Sequence, residues 1–366
     1  MMLRFFGMRR NLCLLLLLAL TPSPSQHHLL YVAEPGIRNY VEYGGVGVLV
    51  YDIDAGYKFL RRIASEAVPS GKDPENVKGI AASAATGRLY VTTIKRLMAF
   101  DLATDKKLWE KELEGGADRL AVSPDGRTLY VPTLEGPHWT VVDAMTGEVR
   151  AKVVTKSGAH NTIWGPDGKA VYLAGLTSPL LRVADPSTNT VVKEIGPFAN
   201  VIRPFTINGS QTRVYVNVNG LLGFEVGDVK TGKVLQHVEV PGFEKGDVKR
   251  HGCPSHGIAL SPDENELWLS DGHNSAVHVF DMTQSTPKLV KTIKVRDQPG
   301  WITWSLDGKH VWPSTGEIID AKTKVIVGTL TDEEHRMVQS EKVVEVVLDG
   351  TKVVRVGDQF AMGQKR

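Results

Sequence analysis

Cysteine is almost absent from this chain. Of 366 residues only two are cysteines, Cys13 and Cys253, which excludes a disulfide-stapled scaffold. An excess of one charge is absent as well. Lys and Arg number 43 against 41 Asp and Glu, a formal net charge of +2, and that balance argues against a basic nucleic-acid binder. Long apolar runs are also missing. The run Leu12 to Leu20 falls well short of the roughly 20 residues needed to span a bilayer, so no membrane span is expected. There is no phosphate-binding glycine loop, no haem attachment pair and no serine-centred nucleophile elbow. What remains is a chain 42% hydrophobic and 23% charged, suited to a folded protein with a large core.

The first 25 residues differ from the rest. Arg4, Arg9 and Arg10 precede the apolar run, and TPSPSQ follows it. Basic end, short apolar stretch and small residues are the order of a secretory signal. The expected cut is near Ser25–Gln26, with a periplasmic or secreted product. Its loss removes three arginines and no acid, taking the charge from +2 to −1. Cys13 leaves with it, so Cys253 stands alone and reads as a small buried side chain. His27 and His28, beside the cut, are expected to be disordered.

The remainder is repetitive. An aromatic flanked by aliphatics recurs as Tyr31, Tyr90, Tyr130, Tyr172, Tyr215, Trp268 and Trp312. Each is followed by an alternating segment ending in aspartate: Asp52, Asp101, Asp143, Asp185, Asp228, Asp281 and Asp320. Such an aspartate can accept a bond from the backbone two residues on and hold a turn. Segments such as LAVSPDGRT and TIWGPDGKA precede the internal aromatics, and Asp-Gly between apolar runs signals a hairpin. The unit is four antiparallel strands in about 40 to 45 residues, the period of a propeller blade. The expected fold is therefore all-β: a seven-bladed β-propeller over residues 26–366, with strands a to d from axis to rim. The first blade, beginning near residue 29, lacks strand a. Val343 to Leu348 fits that innermost place, which closes the ring and removes an open edge. Residues 352–359 have no assigned place.

LYVTT and AVSPDGRTLYV resemble the YVTN-type β-propeller repeats of exported bacterial proteins. The resemblance covers nearly the whole chain after residue 25. It implies seven blades and says little of function, since such propellers include ligand binders, lyases, lactonases and scaffolds.

The insertions all fall on one face: 34–45 between strands b and c, and the interblade links 64–78, 241–256 and 331–341. Long loops on one side of a rigid scaffold mark a functional face. Aligning Ile80, Leu120, Thr162, Phe205, Ile258 and Ile302 as starts of strand a places Lys78, Asp118, His160, Arg203, His256 and Gly300 two residues earlier. Gly79, Arg119, Asn161, Pro204, Gly257 and Trp301 come one residue earlier. These positions should ring the mouth of one funnel, with His160, Arg203 and His256 converging there. Convergent titratable groups in a concavity define a candidate site.

Three chemistries compete. In the first, His160 and His256 bind a divalent metal with His251 or His273 as third ligand. In the second, Lys78, Arg119 and Arg203 hold an anionic small molecule, with Asp118, Asn161 and Trp301 flanking it. His160 and His256 then move protons as catalytic groups of a lyase or lactonase. In the third, the face binds a partner protein or glycan through Tyr40, Tyr43 and Trp301, without reaction. Arg203 and Asp118 pairing as a structural plug is the plain alternative. His138 is placed in a loop, and His278 is placed in a strand as a packing residue. The Asn208-Gly209-Ser210 glycosylation pattern lies in a turn. A monomer is expected.

Overall fold

A computed structural model describes residues 26–65 and 74–365. The expected signal segment and its cut lie outside these residues. The described chain forms seven antiparallel sheets around one axis, six of four strands and one of five. Val41–Tyr43 forms a single 3-10 turn, and no helix among the described residues is long and apolar enough to cross a membrane.

The repeat works as its composition dictates. All seven strand-end aspartates accept backbone N–H groups two or three residues on, as Asp101 does from Ala103 and Thr104 and Asp228 from Thr231. Of the seven aromatics, six are buried and Tyr215 is half-buried. The buried apolar residues fall into seven clusters, one between each pair of neighbouring blades. Strand side chains alternate between faces, so each blade feeds both of its interfaces.

The ring closes through Val343–Asp349, which pairs antiparallel with His27–Glu34 from Val32↔Val343 to His27↔Leu348. That strand is not the innermost of its sheet. Lys352–Val356 turns back beside it, giving the fifth strand. The reason lies in the sequence VVEVVLDGTKVVRV, two alternating runs joined by Asp349-Gly350, a hairpin signal. Nor are His27 and His28 disordered. Both belong to the first strand, and His28 Nδ1 lies 2.6 Å from Glu345 Oε1 across the closing pair.

Beyond the fifth strand, residues 357–365 enter the axial channel on the side away from the long loops. Innermost strands normally present unpaired backbone to the axis; here the tail takes up some of those groups. Leu260 N donates to Ala361 O at 3.0 Å, Gly363 N donates to Ile207 O at 2.9 Å, and Gln359 Nε2 donates to Leu120 O at 3.0 Å. Trp301 Nε1 donates to Gln359 O, and its ring packs on Phe360.

Candidate functional site

The opposite mouth of the channel holds a cavity of about 310 Å³. Its walls come from each of the long loops: Ile37 and Arg38; Asn76 and Lys78; Arg250, His251, Gly252 and His256; Glu341. His160 and Arg203 line the same space. Lys78, Arg119, Arg203, Arg250, Arg38 and Lys342 bring six cationic side chains to this lining, against the two carboxylates of Glu135 and Glu341.

Two residues of the ring escaped the sequence alignment. Ala33 N bonds Lys342 O just as Ser314 N bonds Trp301 O and Ser270 N bonds Gly257 O. Glu341 and Lys342 therefore occupy the first blade's equivalents of His256 and Gly257. The signal was present, two residues and one residue before Val343. The sixth ring position, Gly300, has no side chain of its own. A Cβ there would collide with the His251 ring and Glu341 Oε1. The inserted loop 241–256 lays His251 into the place that a side chain at 300 would fill.

The charges sort into two groups. In one, Asp118 is fully buried, with Oδ2 2.6 Å from His160 Nδ1 and Oδ1 3.5 Å from Lys78 Nζ. Burial alone would raise the Asp118 pKa, but His160 and Lys78 outweigh it and hold the carboxyl below its ordinary range. Burial lowers the His160 pKa, with Asp118 pulling the other way. The carboxylate accepts a hydrogen bond from Nδ1–H, which leaves the Nε2 lone pair free on a neutral ring. Asp118 pairs with these two groups and not with Arg203. Arg203 instead donates from Nε to Asn219 Oδ1.

In the second group, Glu341 Oε2 accepts from Arg119 Nη2 and, at 2.9 Å, from Lys342 Nζ. The Arg119 guanidinium carbon lies over Trp301, 3.4 Å from the ring centroid. His251 Nδ1 stands 3.0 Å from Glu341 Oε1, and its Nε2 is 3.2 Å from Gln298 O. His256 Nδ1 is 2.8 Å from Gly300 O. A carbonyl only accepts, so Nδ1 carries the His256 proton and Nε2 the lone pair. Burial, then the neighbouring His251, holds the His256 pKa well below the ordinary imidazole value. Glu341 is held well below the carboxylate range: Lys342, His251 and Arg119 together outweigh its burial.

The residues singled out from sequence thus separate. Lys78, His160, Arg203, His251 and His256 line the cavity. Arg119 touches it but is 2% exposed and already paired. Asp118, Asn161 and Trp301 are buried behind it, so they sit one layer deeper than the flanking contacts anticipated. His160 is drawn to Asp118, and of the funnel residues His251, His256 and Glu341 are the three whose ligand atoms lie within 4.8 Å of one another. His273 is exposed and bonds toward Asp247 O. His138 is buried and begins a strand, not a loop. His278 is buried between Asp271 and Thr292. Cys253 is buried, and burial pushes its thiol up to about 12, which leaves it unreactive. Asn208 is buried, its amide bonded to Ser210 and Thr212.

No protein-family model matches the chain, and no curated protein matches it. Solved structures do. Dihydro-heme d1 dehydrogenase NirN, in complex with DHE, aligns at TM-score 0.62 and 16% identity, covering 90% of this chain and 72% of its own. The β-propeller domain of Cps50 (Swd1) from Myceliophteria thermophila aligns at 0.58 and 11%, over 80% and 96%. Hydrazine synthase from Kuenenia stuttgartiensis aligns at 0.47 and 16%, over 72% and 99%. At such identities the first two likenesses are of fold alone, and the seven sheets around one axis make that fold a seven-bladed β-propeller.

Proposed function

We propose that the long-loop funnel binds a small anionic molecule, a carboxylate above all, and that His160 exchanges a proton with it. The observation that carries this reading is Arg203. Its guanidinium lines the cavity, half-buried, with no carboxylate within 4 Å among the described residues. Asn219 ties Nε and sets the plane, leaving the two terminal NH2 groups as a fork that matches a carboxylate. Lys78 shares its one acid with His160 and adds a second positive charge. The Asp118–His160 pair has the arrangement of an oriented general base, neutral at Nε2 and facing the same space. A lyase or lactonase acting on a carboxylated substrate uses these parts. Membership of the YVTN-type repeat proteins, and export through the 1–25 segment, belong to the same proposal; sequencing the N-terminus of the mature protein tests the export.

A second reading rests on the rim. Arg250 lies over Tyr40 and Tyr43, 5.9 and 5.5 Å from their ring centroids. Such a surface suits a glycan or protein partner without turnover.

Calorimetric titration with succinate, tartrate and glucuronate tests the first reading. At least one should bind the native protein, and Arg203→Ala should weaken it by about tenfold or more, the scale of one charge-assisted hydrogen-bond pair. Absence of binding by every acid, or equal binding by Arg203→Ala, overturns it. Binding without turnover keeps the anion site and removes the proton-transfer role of His160.

A further inference from the structure

His251 and Glu341 approach each other in an unusual way. Nδ1 and Oε1 are 3.0 Å apart, yet Glu341 Oε1 is a buried oxygen with no hydrogen-bond partner among the described residues. The contact lies off the direction a hydrogen bond needs. Two ligand atoms aimed at one point beside them would stand this way. Ligands 2.0 to 2.2 Å from one ion, at angles between 90° and the tetrahedral value, lie roughly 3 to 3.5 Å from each other.

The other atoms of these residues are committed as metal ligands usually are. His251 Nε2 faces the Gln298 carbonyl and His256 Nδ1 faces the Gly300 carbonyl. A ligating histidine commonly donates its second N–H to a carbonyl in this manner, which fixes tautomer and ring. Glu341 Oε2 is held by Arg119 and Lys342, and a ligating carboxylate is likewise bonded through its remaining oxygen. The free atoms are His251 Nδ1, His256 Nε2 and Glu341 Oε1. The three residues can offer ligand atoms that all lie within 4.8 Å of one another. They come from an inserted loop, a funnel position and the closing strand's lead-in, so no spacing in the sequence announces them.

We infer that His251, His256 and Glu341 form a two-histidine, one-carboxylate site for a divalent transition ion of the Zn²⁺, Mn²⁺ or Fe²⁺ class. Imidazole and carboxylate together suit these ions, and three protein ligands leave coordination positions open. Those positions face the cavity that Arg203 and His160 line. An ion there would act as a Lewis acid or hold a water near a bound anion. The site stands on its own three side chains, whether or not the anion proposal holds.

The test uses the full chain, stripped with chelator and shown by circular dichroism to remain folded. Zn²⁺, Mn²⁺ and Fe²⁺ (the last without oxygen) are titrated separately by calorimetry, without any organic acid, and bound metal is counted by elemental analysis. One ion per chain is expected. His251→Ala and His256→Ala should each weaken binding by at least the roughly 10- to 100-fold lost when an outer-shell partner is removed. His273→Ala, an exposed histidine outside the group, should bind as the parent does. Glu341→Gln serves as a third variant only where its unfolding midpoint shows it folded, since it also breaks the Arg119 pair. Failure of all three ions to bind the folded protein, or binding that survives both histidine changes, overturns the site. Ion binding with no affinity for carboxylates would leave the site standing and defeat the anion proposal.

Discussion

Two arginines in one funnel carry opposite consequences. Arg119 is buried, bound to Glu341 and stacked on Trp301. Burial lowers its pKa, with Glu341 and Asp118 opposing that shift. Removing one partner of such a pair leaves an uncompensated buried charge, so Arg119→Ala should destabilise by about 3–5 kcal/mol. Arg203 has solvent on one side and, among the described residues, only Asn219 as its side-chain partner. Arg203→Ala should change stability by less than about 1 kcal/mol. Urea unfolding of the two variants separates them. Equal losses would mean that Arg203 is part of the scaffold and not of the site. Both were read from sequence as ligand contacts, because register places a residue at the axis but does not say which charge already has a partner.

At the scale of elements, the tail is the unusual one. Asp358 is half-buried in it, its carboxylate accepting backbone N–H bonds from Phe360 and Met362. Burial pushes the carboxyl up to about 6, and those backbone bonds only partly offset the rise. The folded pKa lies above the unfolded 3.8. This group's contribution to stability is therefore complete below pH 3.8 and is lost as pH rises through about 6. The difference is roughly 3 kcal/mol at pH 7. Asp358→Asn keeps an acceptor and removes the charge. Its urea midpoint should exceed the parent's at pH 7, and the gap should close toward pH 4. A gap that is constant with pH would show that Asp358 titrates normally. The hairpin before the tail could be read from Asp349-Gly350 between alternating runs. The insertion of residues 357–365 into the channel could not, since the strand backbone groups it meets at Leu120, Ile207 and Leu260 lie more than 90 residues away in sequence.

At the scale of the molecule, stability is shared among seven interblade clusters. No blade can bury its faces alone, so the ring must close for any blade to be fully covered. Deleting residues 343–366 strips the first blade of its inner strands and exposes an edge. The deletion variant should lose the single cooperative urea transition or aggregate. Removing only residues 357–366 should keep that transition at a lower midpoint, because the channel backbone returns to water while the closure remains. A sharp, unshifted transition in the longer deletion would show that the ring is held elsewhere.

The recurring aromatics, the turn aspartates and the Asp-Gly hairpins act over a few residues each. Local chemistry of that kind is written in the chain itself. The all-β fold, the blade count, the closing pair at Val343 and the loop-bearing face were therefore legible from sequence. The same register logic named Lys78, His160, Arg203 and His256 as funnel residues, and it would have reached Glu341 had the seventh strand been aligned with the other six. Partnership was decided only by the tertiary structure. His160 meets Asp118, Glu341 meets Arg119, and His251 fills the space above Gly300, because neighbouring blades and an inserted loop bring these groups within about 3 Å. Separation in space between residues of different blades has no counterpart in their separation along the chain.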